Sequence, residues 1–232
     1  MERLFKRRTM MADFTMAHAK AMGNEGGYAN NPADAGGETY KGIARKSWPN
    51  WVGWKYVDGV KANTVPQPAY GTTAYRNYAS HLNCCLAGLA SLQQVVLDFY
   101  RRNFWDKYRL SEINDQSVAA WLYDHVVNGG ARGAMWLQEA AGVTADGKVG
   151  PATIVAINAA DPVELLQEAE DVAAFYRLDR AAADPSQVQF LPSWLRRDGV
   201  SAEEITQVMR AARDGLTYAE VAGLKEMIKA RA

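Results

Sequence analysis

One carboxylate in this chain stands where a carboxylate is not normally placed. Phe14, Ala17, His18, Ala21 and Met22 recur at the spacing of one helix face, and Glu25 is the next member of the series. The stripe is apolar apart from His18, so Glu25 ends a helix on the side turned toward a core. Two effects predict a raised carboxyl pKa there: partial desolvation by the stripe, and the negative end of the helix dipole. A carboxylic acid that keeps its proton near neutral pH can protonate a departing oxygen, the first requirement for cleaving a glycosidic bond. The plain alternative is a solvent-facing glutamate in a fraying last turn. The helix by itself does not separate the two.

Asp34 and Thr39 follow in a turn-rich stretch, Asn31-Pro32-Ala33-Asp34-Ala35-Gly36-Gly37-Glu38-Thr39. Taken singly, an Asp in a Pro/Gly turn bonds its own backbone, and a Thr beside it is a strand former. Glu38 is the competing carboxylate. Strand alternation points it to the face opposite Thr39, which makes it a bystander. Trp48, Trp51, Trp54 and Tyr56 lie close together and could stack on sugar rings, but core packing is the favoured reading. Cys84 and Cys85 are adjacent, cannot staple a fold, and read as two buried thiols. His18, His81 and His125 show no zinc spacing, so no metal and no cofactor are expected.

The elements that must position these residues are mostly helical. Asp13 caps a helix over about residues 14–24, stopped by Gly26 and Gly27. Residues 28–43 read as a β-hairpin region. Residues 58–72, with Gly59, Pro66, Pro68 and Gly71, read as a surface loop. Helices are expected at about 73–88, 91–107, 116–127 and 131–141, and a short one opens at Gly150-Pro151. Asp161-Pro162 caps a long helix to about 182. Two short helices at about 201–213 and 217–230, around Gly215, read as a surface hairpin with no basic recognition face.

Composition narrows the partners. Across 232 residues, 26 Lys and Arg balance 26 Asp and Glu, so no global basic field points to nucleic acid. The opening MERLFKRRTMM is not followed by the apolar run of about 7–15 residues that a secretory signal needs. No stretch reaches the roughly 18 apolar residues of a membrane span. The expectation is a protein made in the cytoplasm without stable membrane association.

Glu25-Gly26-Gly27-Tyr28, Asn30, Asp34, Gly36-Gly37, Thr39 and Gly42-Ile43 together resemble the signature of glycoside hydrolase family 108, phage and bacterial N-acetylmuramidases of lysozyme-like fold. The resemblance implies Glu25 as general acid, Asp34 and Thr39 positioning or activating water, and Tyr28 and Asn30 as substrate-binding residues. Phe99-Tyr100-Arg101-Arg102-Asn103-Phe104-Trp105 is similar to the aromatic stretch closing that catalytic module, while residues 48–90 match it poorly. Residues 110–198 resemble the predicted peptidoglycan-binding module that follows it, through Leu137-Gln138, Asp146-Gly147, Gly150-Pro151 and Thr153. This implies peptidoglycan as partner and Gln138 and Asp146 as binding residues.

The expected fold is mainly α (α+β). A lysozyme-like catalytic part with a small β-hairpin spans 11–108, a helical peptidoglycan-binding-like part spans 109–198, and a helical tail spans 199–232. The expected reaction is hydrolysis of the β-1,4 bond between N-acetylmuramic acid and N-acetylglucosamine. The setting fits an endolysin released through a holin-type lesion to act in the periplasm or wall, and fits a bacterial muramidase equally. Two rivals stand beside it: a lytic transglycosylase, and a non-catalytic wall-binding protein on a lysozyme-like scaffold.

Overall fold

A computed structural model of the chain describes residues 11–22, 26–33 and 36–230. The chain forms two compact units: residues 22–106, the hairpin unit, and residues 1–21 with 107–232, the helical unit. It is mainly α with one small antiparallel sheet. Among the described residues no single helix is long and apolar enough to cross a membrane.

In the hairpin unit, strands β1 (Tyr28–Asn30), β2 (Glu38–Tyr40) and β3 (Ile43–Ala44) pair in that order. The register Tyr28↔Tyr40, Ala29↔Thr39 and Asn30↔Glu38 puts Tyr28, Asn30, Glu38 and Tyr40 on one face and Thr39 on the other. Lys41 and Gly42 both take positive φ (44° and 76°), as a tight two-residue hairpin turn requires. Gly42 is needed twice over, because a Cβ there would meet the Tyr100 hydroxyl at 2.7 Å.

Helices α2 (Trp54–Ala62), α3 (Thr73–Ala87) and α4 (Ala90–Tyr100) pack around this sheet. The loop expected at 58–72 is therefore shorter, since α2 runs through Gly59 to Ala62. Burying Trp54 and Val57 outweighs the cost of about 1 kcal/mol for a helical glycine. The single helix expected over 91–107 also changes character. It ends at Tyr100, and Arg101–Asp106 continues as a π-helix. Tyr100 and Trp105 are both buried, yet five residues apart they would diverge around an α-helix. The i→i+5 winding returns both to the inner side. The cysteines are a further correction: Cys84 is exposed and Cys85 half-buried. Tyr75, Tyr78, Leu82 and Leu86 take the inward face of α3 and leave the thiols off it.

The helical unit begins with α1 (Phe14–Met22), capped by Asp13, whose Oδ1 accepts from Met16 N at 2.9 Å. Phe14 and His18 turn onto Tyr123 of α5 (Gln116–Gly129), and the His18 Nδ1 lies 2.7 Å from the Tyr123 hydroxyl. Then come α6 (Ala131–Ala140), α7 (Pro151–Ala159), the long α8 (Pro162–Ala183) and α9 (Leu191–Arg197). The chain ends in α10 (Ala202–Ala211) and α11 (Tyr218–Lys229), each opened by a capping box, Ser201 with Glu204 and Thr217 with Glu220. Ile205, Val208, Val221, Leu224 and Ile228 from this last pair share one core with Leu178, Leu191 and Leu195. Burial of those apolar faces, rather than propensity, holds the pair in place.

The polar centre of this unit is Asp198, fully buried. It accepts from His125 Nε2 at 3.1 Å and Arg177 Nε at 3.2 Å. His125 Nδ1 faces the Trp121 carbonyl at 2.8 Å. The Arg177 guanidinium also lies over Trp136 and Trp194, 4.7 and 5.0 Å from their centroids. Removing one partner from such a set leaves buried charge uncompensated. Asp198→Ala should therefore lower unfolding free energy by about 3–5 kcal/mol in urea denaturation. A variant within about 1 kcal/mol of wild type would show that the set contributes little.

Candidate active site

The hairpin carries or flanks the residues singled out for catalysis. Glu25 and Asp34 lie outside the described residues. In sequence, Glu25 precedes β1 and Asp34 belongs to the segment joining β1 to β2. Thr39 sits at the middle of β2, half-buried, and its hydroxyl donates to the Gly37 carbonyl at 3.2 Å. An open cleft of about 470 Å³ lies beside this segment, with Pro32 and Gly37 on its walls next to Asn30, Arg45 and Lys46.

The hairpin is held from outside its own ladder. Asn83 of α3 accepts from Tyr28 N, and the Tyr75 hydroxyl of α3 accepts from Asn30 N at 2.7 Å. These are alternate residues of an edge strand, so their N–H groups point away from β2 and need partners. Gly27 makes room for this, because a Cβ there would overlap the Asn83 side-chain carboxamide. At the other end the Tyr100 hydroxyl donates to the Lys41 carbonyl at 2.7 Å. Gln93 of α4 reaches Tyr40 and Leu86 and accepts from Lys41 Nζ.

Glu38 is consumed within this framework. It pairs with Arg45 and Lys61, both at 2.5 Å, and accepts from the Tyr28 hydroxyl at 3.0 Å. Arg45 also grips Asp58 with two nitrogens and lies 4.2 Å over the Trp54 ring. Tyr28 and Asn30 are brought together through Gln67, whose Oε1 accepts from both. Tyr28 is 4% exposed with its hydroxyl already engaged. Through these bonds it props the hairpin. Asn30 stays half-exposed on the cleft wall. Thr39 lies on the opposite face of the sheet from both.

The tryptophan cluster packs mainly on itself. Trp54 is buried and donates to the Trp48 carbonyl at 2.8 Å, and Trp51 and Trp48 set their rings edge-on against Trp54 and Phe99. In the helical unit Gln138 and Asp146 do meet, at 3.0 Å. Gln138 is 1% exposed, and its amide also donates to the Lys148 carbonyl and Thr153 and accepts from Gly147 N. Through these bonds Gln138 locks the turn at Asp146-Gly147. Asp146 is exposed, and the hydrogen bonds from Gln138 and Lys148 N hold its carboxyl below the usual range. Among the described residues no three His, Cys, Asp or Glu side chains gather as a metal ion would need.

Comparison with known proteins fits this arrangement. The profile of the family described as glycosyl hydrolase 108 matches residues 18–130. Residues 18–130 form a family 108 glycoside hydrolase domain. The profile described as predicted peptidoglycan domain matches residues 132–199. Among curated proteins none matches the chain. A solved structure, that of Brucella abortus SagA, is similar over 87% of this chain and 96% of its own, with a TM-score of 0.51 and 21% identity. That likeness concerns the fold. The protein is therefore a glycoside hydrolase, and its two domains together make it a peptidoglycan-hydrolysing glycosidase.

Several supports of the family 108 hairpin carry no signal in sequence. Asn83, Tyr75, Gln67, Gln93, Arg45 and Lys61 reach it from 7 to 55 residues away. Only Tyr100 was signalled, as part of the aromatic stretch. One consequence can be tested by pH. Burial, and then the charge of Glu38, hold the Tyr28 phenol protonated well above its ordinary range. The folded state thus keeps a proton that the unfolded chain releases near pH 10, at the ordinary phenol value. The stability this contributes is full below about pH 10 and is lost as pH rises beyond it. Urea denaturation from about pH 8 to 11 should show wild type losing stability more steeply than Tyr28→Phe. Equal slopes would contradict this.

Proposed function

We propose that the family 108 domain hydrolyses the β-1,4 bond between N-acetylmuramic acid and N-acetylglucosamine, with Glu25 as general acid and Asp34 and Thr39 handling the water. In this scheme the Glu25 proton passes to the glycosidic oxygen as its bond to the muramic C1 breaks. A water held by Thr39 attacks C1, and Asp34 takes the proton that the water loses. The observation that supports these roles is the state of the rival acid. Glu38 accepts from Arg45, Lys61 and Tyr28, so its charge is already balanced by two cations and its side chain is held by the framework of the hairpin. Thr39, on the other face of the sheet, engages the nearby Gly37 carbonyl as its one side-chain hydrogen bond among the described residues. Its oxygen keeps lone pairs for a water.

Glu25→Gln keeps the shape but has no proton to give, so lysis of permeabilised cells should slow by about 10²–10⁴-fold. Asp34→Asn should also be strongly impaired, and Thr39→Ala less so. Glu38→Gln should keep most activity while melting at lower temperature. A Glu25→Gln protein that lyses cells at the wild-type rate, beside an inert but folded Glu38→Gln, would reverse the assignment.

A further inference from the structure

The helical unit contains an open cleft of about 540 Å³. That is within the roughly 300–1,000 Å³ of small-ligand sites. Lys20 of α1, Trp121 and Asp124 of α5, Glu170 of α8, and Arg196 and Arg197 of α9 are on its walls. Trp121 is fixed from behind. His125 stacks on it at 3.7 Å and 19°, and that ring is itself pinned to the Trp121 carbonyl and to Asp198. The indole Nε1 is buried and has no hydrogen-bond partner among the described residues, a costly state for a native donor.

The cleft carries charges of both signs. Arg197 lies 3.5 Å from Asp124, so those two partly satisfy each other. Lys20 and Arg196 are exposed and form no ion pair among the described residues. Glu170 adds a carboxylate on the α8 side. N-acetylated sugars carry no charge, and the lactyl carboxyl of muramic acid is used up in the amide to its peptide. Such a lining is wasted on a bare glycan. The peptide stem of peptidoglycan matches it, with free carboxylates and, at an uncrosslinked diamino residue, an ammonium.

We propose that this cleft binds the peptide stem of peptidoglycan, its carboxylates at Lys20 and Arg196 and its ammonium on the side of Asp124. The proposal rests on the reading that the protein acts on peptidoglycan. The fixed indole gives the site a rigid floor, so little ordering is required when a stem enters.

The test uses the full chain and a synthetic stem tetrapeptide, alanyl-γ-glutamyl-diaminopimelyl-alanine, titrated by calorimetry or NMR. Wild type should bind it. The double variant Lys20→Gln/Arg196→Gln should bind about tenfold or more weakly, as expected for losing charge-assisted hydrogen bonds. Both side chains are exposed, so the fold is not at risk, and an unchanged melting temperature will verify this. Lys20→Arg/Arg196→Lys, which keeps both charges, should retain most of the affinity. A neutral chitin oligosaccharide should not compete. Failure of wild type to bind the tetrapeptide, or equal binding by the charge-removed variant, overturns the inference. If wild type releases sugars from sacculi yet ignores the tetrapeptide, this inference alone falls. If it releases none, the peptidoglycan reading falls and takes this inference with it.

Discussion

A strand three residues long with a single neighbour leaves N–H groups along its outer edge, and short sheets with such edges are marginal on their own. In this protein α3 supplies what a further strand would have supplied. Asn83 and Tyr75 accept from the two outward N–H groups of β1, and Gly27 lets the helix come close enough. Tyr100 and Gln93 then hold the opposite end at the Lys41-Gly42 turn. The position of Thr39 and the wall of the neighbouring cleft follow from those clamps rather than from the strands. The π-helical turn after Tyr100 belongs to the same device, since it lets Tyr100 and Trp105 both face inward.

The two units handle buried charge in the same way. Each sets one carboxylate between two basic side chains and lays a guanidinium across tryptophan. In the hairpin unit Glu38 has Arg45 and Lys61, with Arg45 over Trp54. In the helical unit Asp198 has His125 and Arg177, with Arg177 over Trp136. Desolvating a charge is expensive, and a full set of donors is what makes it tolerable. These acids are fixed in place as structural anchors.

Much of the fold could be read in advance because helical periodicity and caps are local signals. Asp13, Gly150-Pro151 and Asp161-Pro162 mark helix starts that the structure has. The end of α2 was not legible, because Gly59 argues locally for a break and only the buried Trp54 and Val57 override it. The π-turn was not legible either, since its residues have no distinctive propensity. The bonds that Gln138 makes to Asp146, Gly147 and Thr153 were not legible either, because the spacing of the motif does not say that one buried amide joins its members. Glu25 and Asp34 lie outside the described residues, so their roles rest on the motif, the family and the engagement of Glu38.

The central claim is a chemical one, that a specific glycosidic bond is cut with water. Purified sacculi digested by the protein, reduced with borohydride and analysed by mass spectrometry, put it to the most direct test. The account predicts fragments ending in reduced N-acetylmuramic acid. Fragments ending in reduced N-acetylglucosamine would mean the other bond is cut, and 1,6-anhydromuramic ends would mean that no water is used.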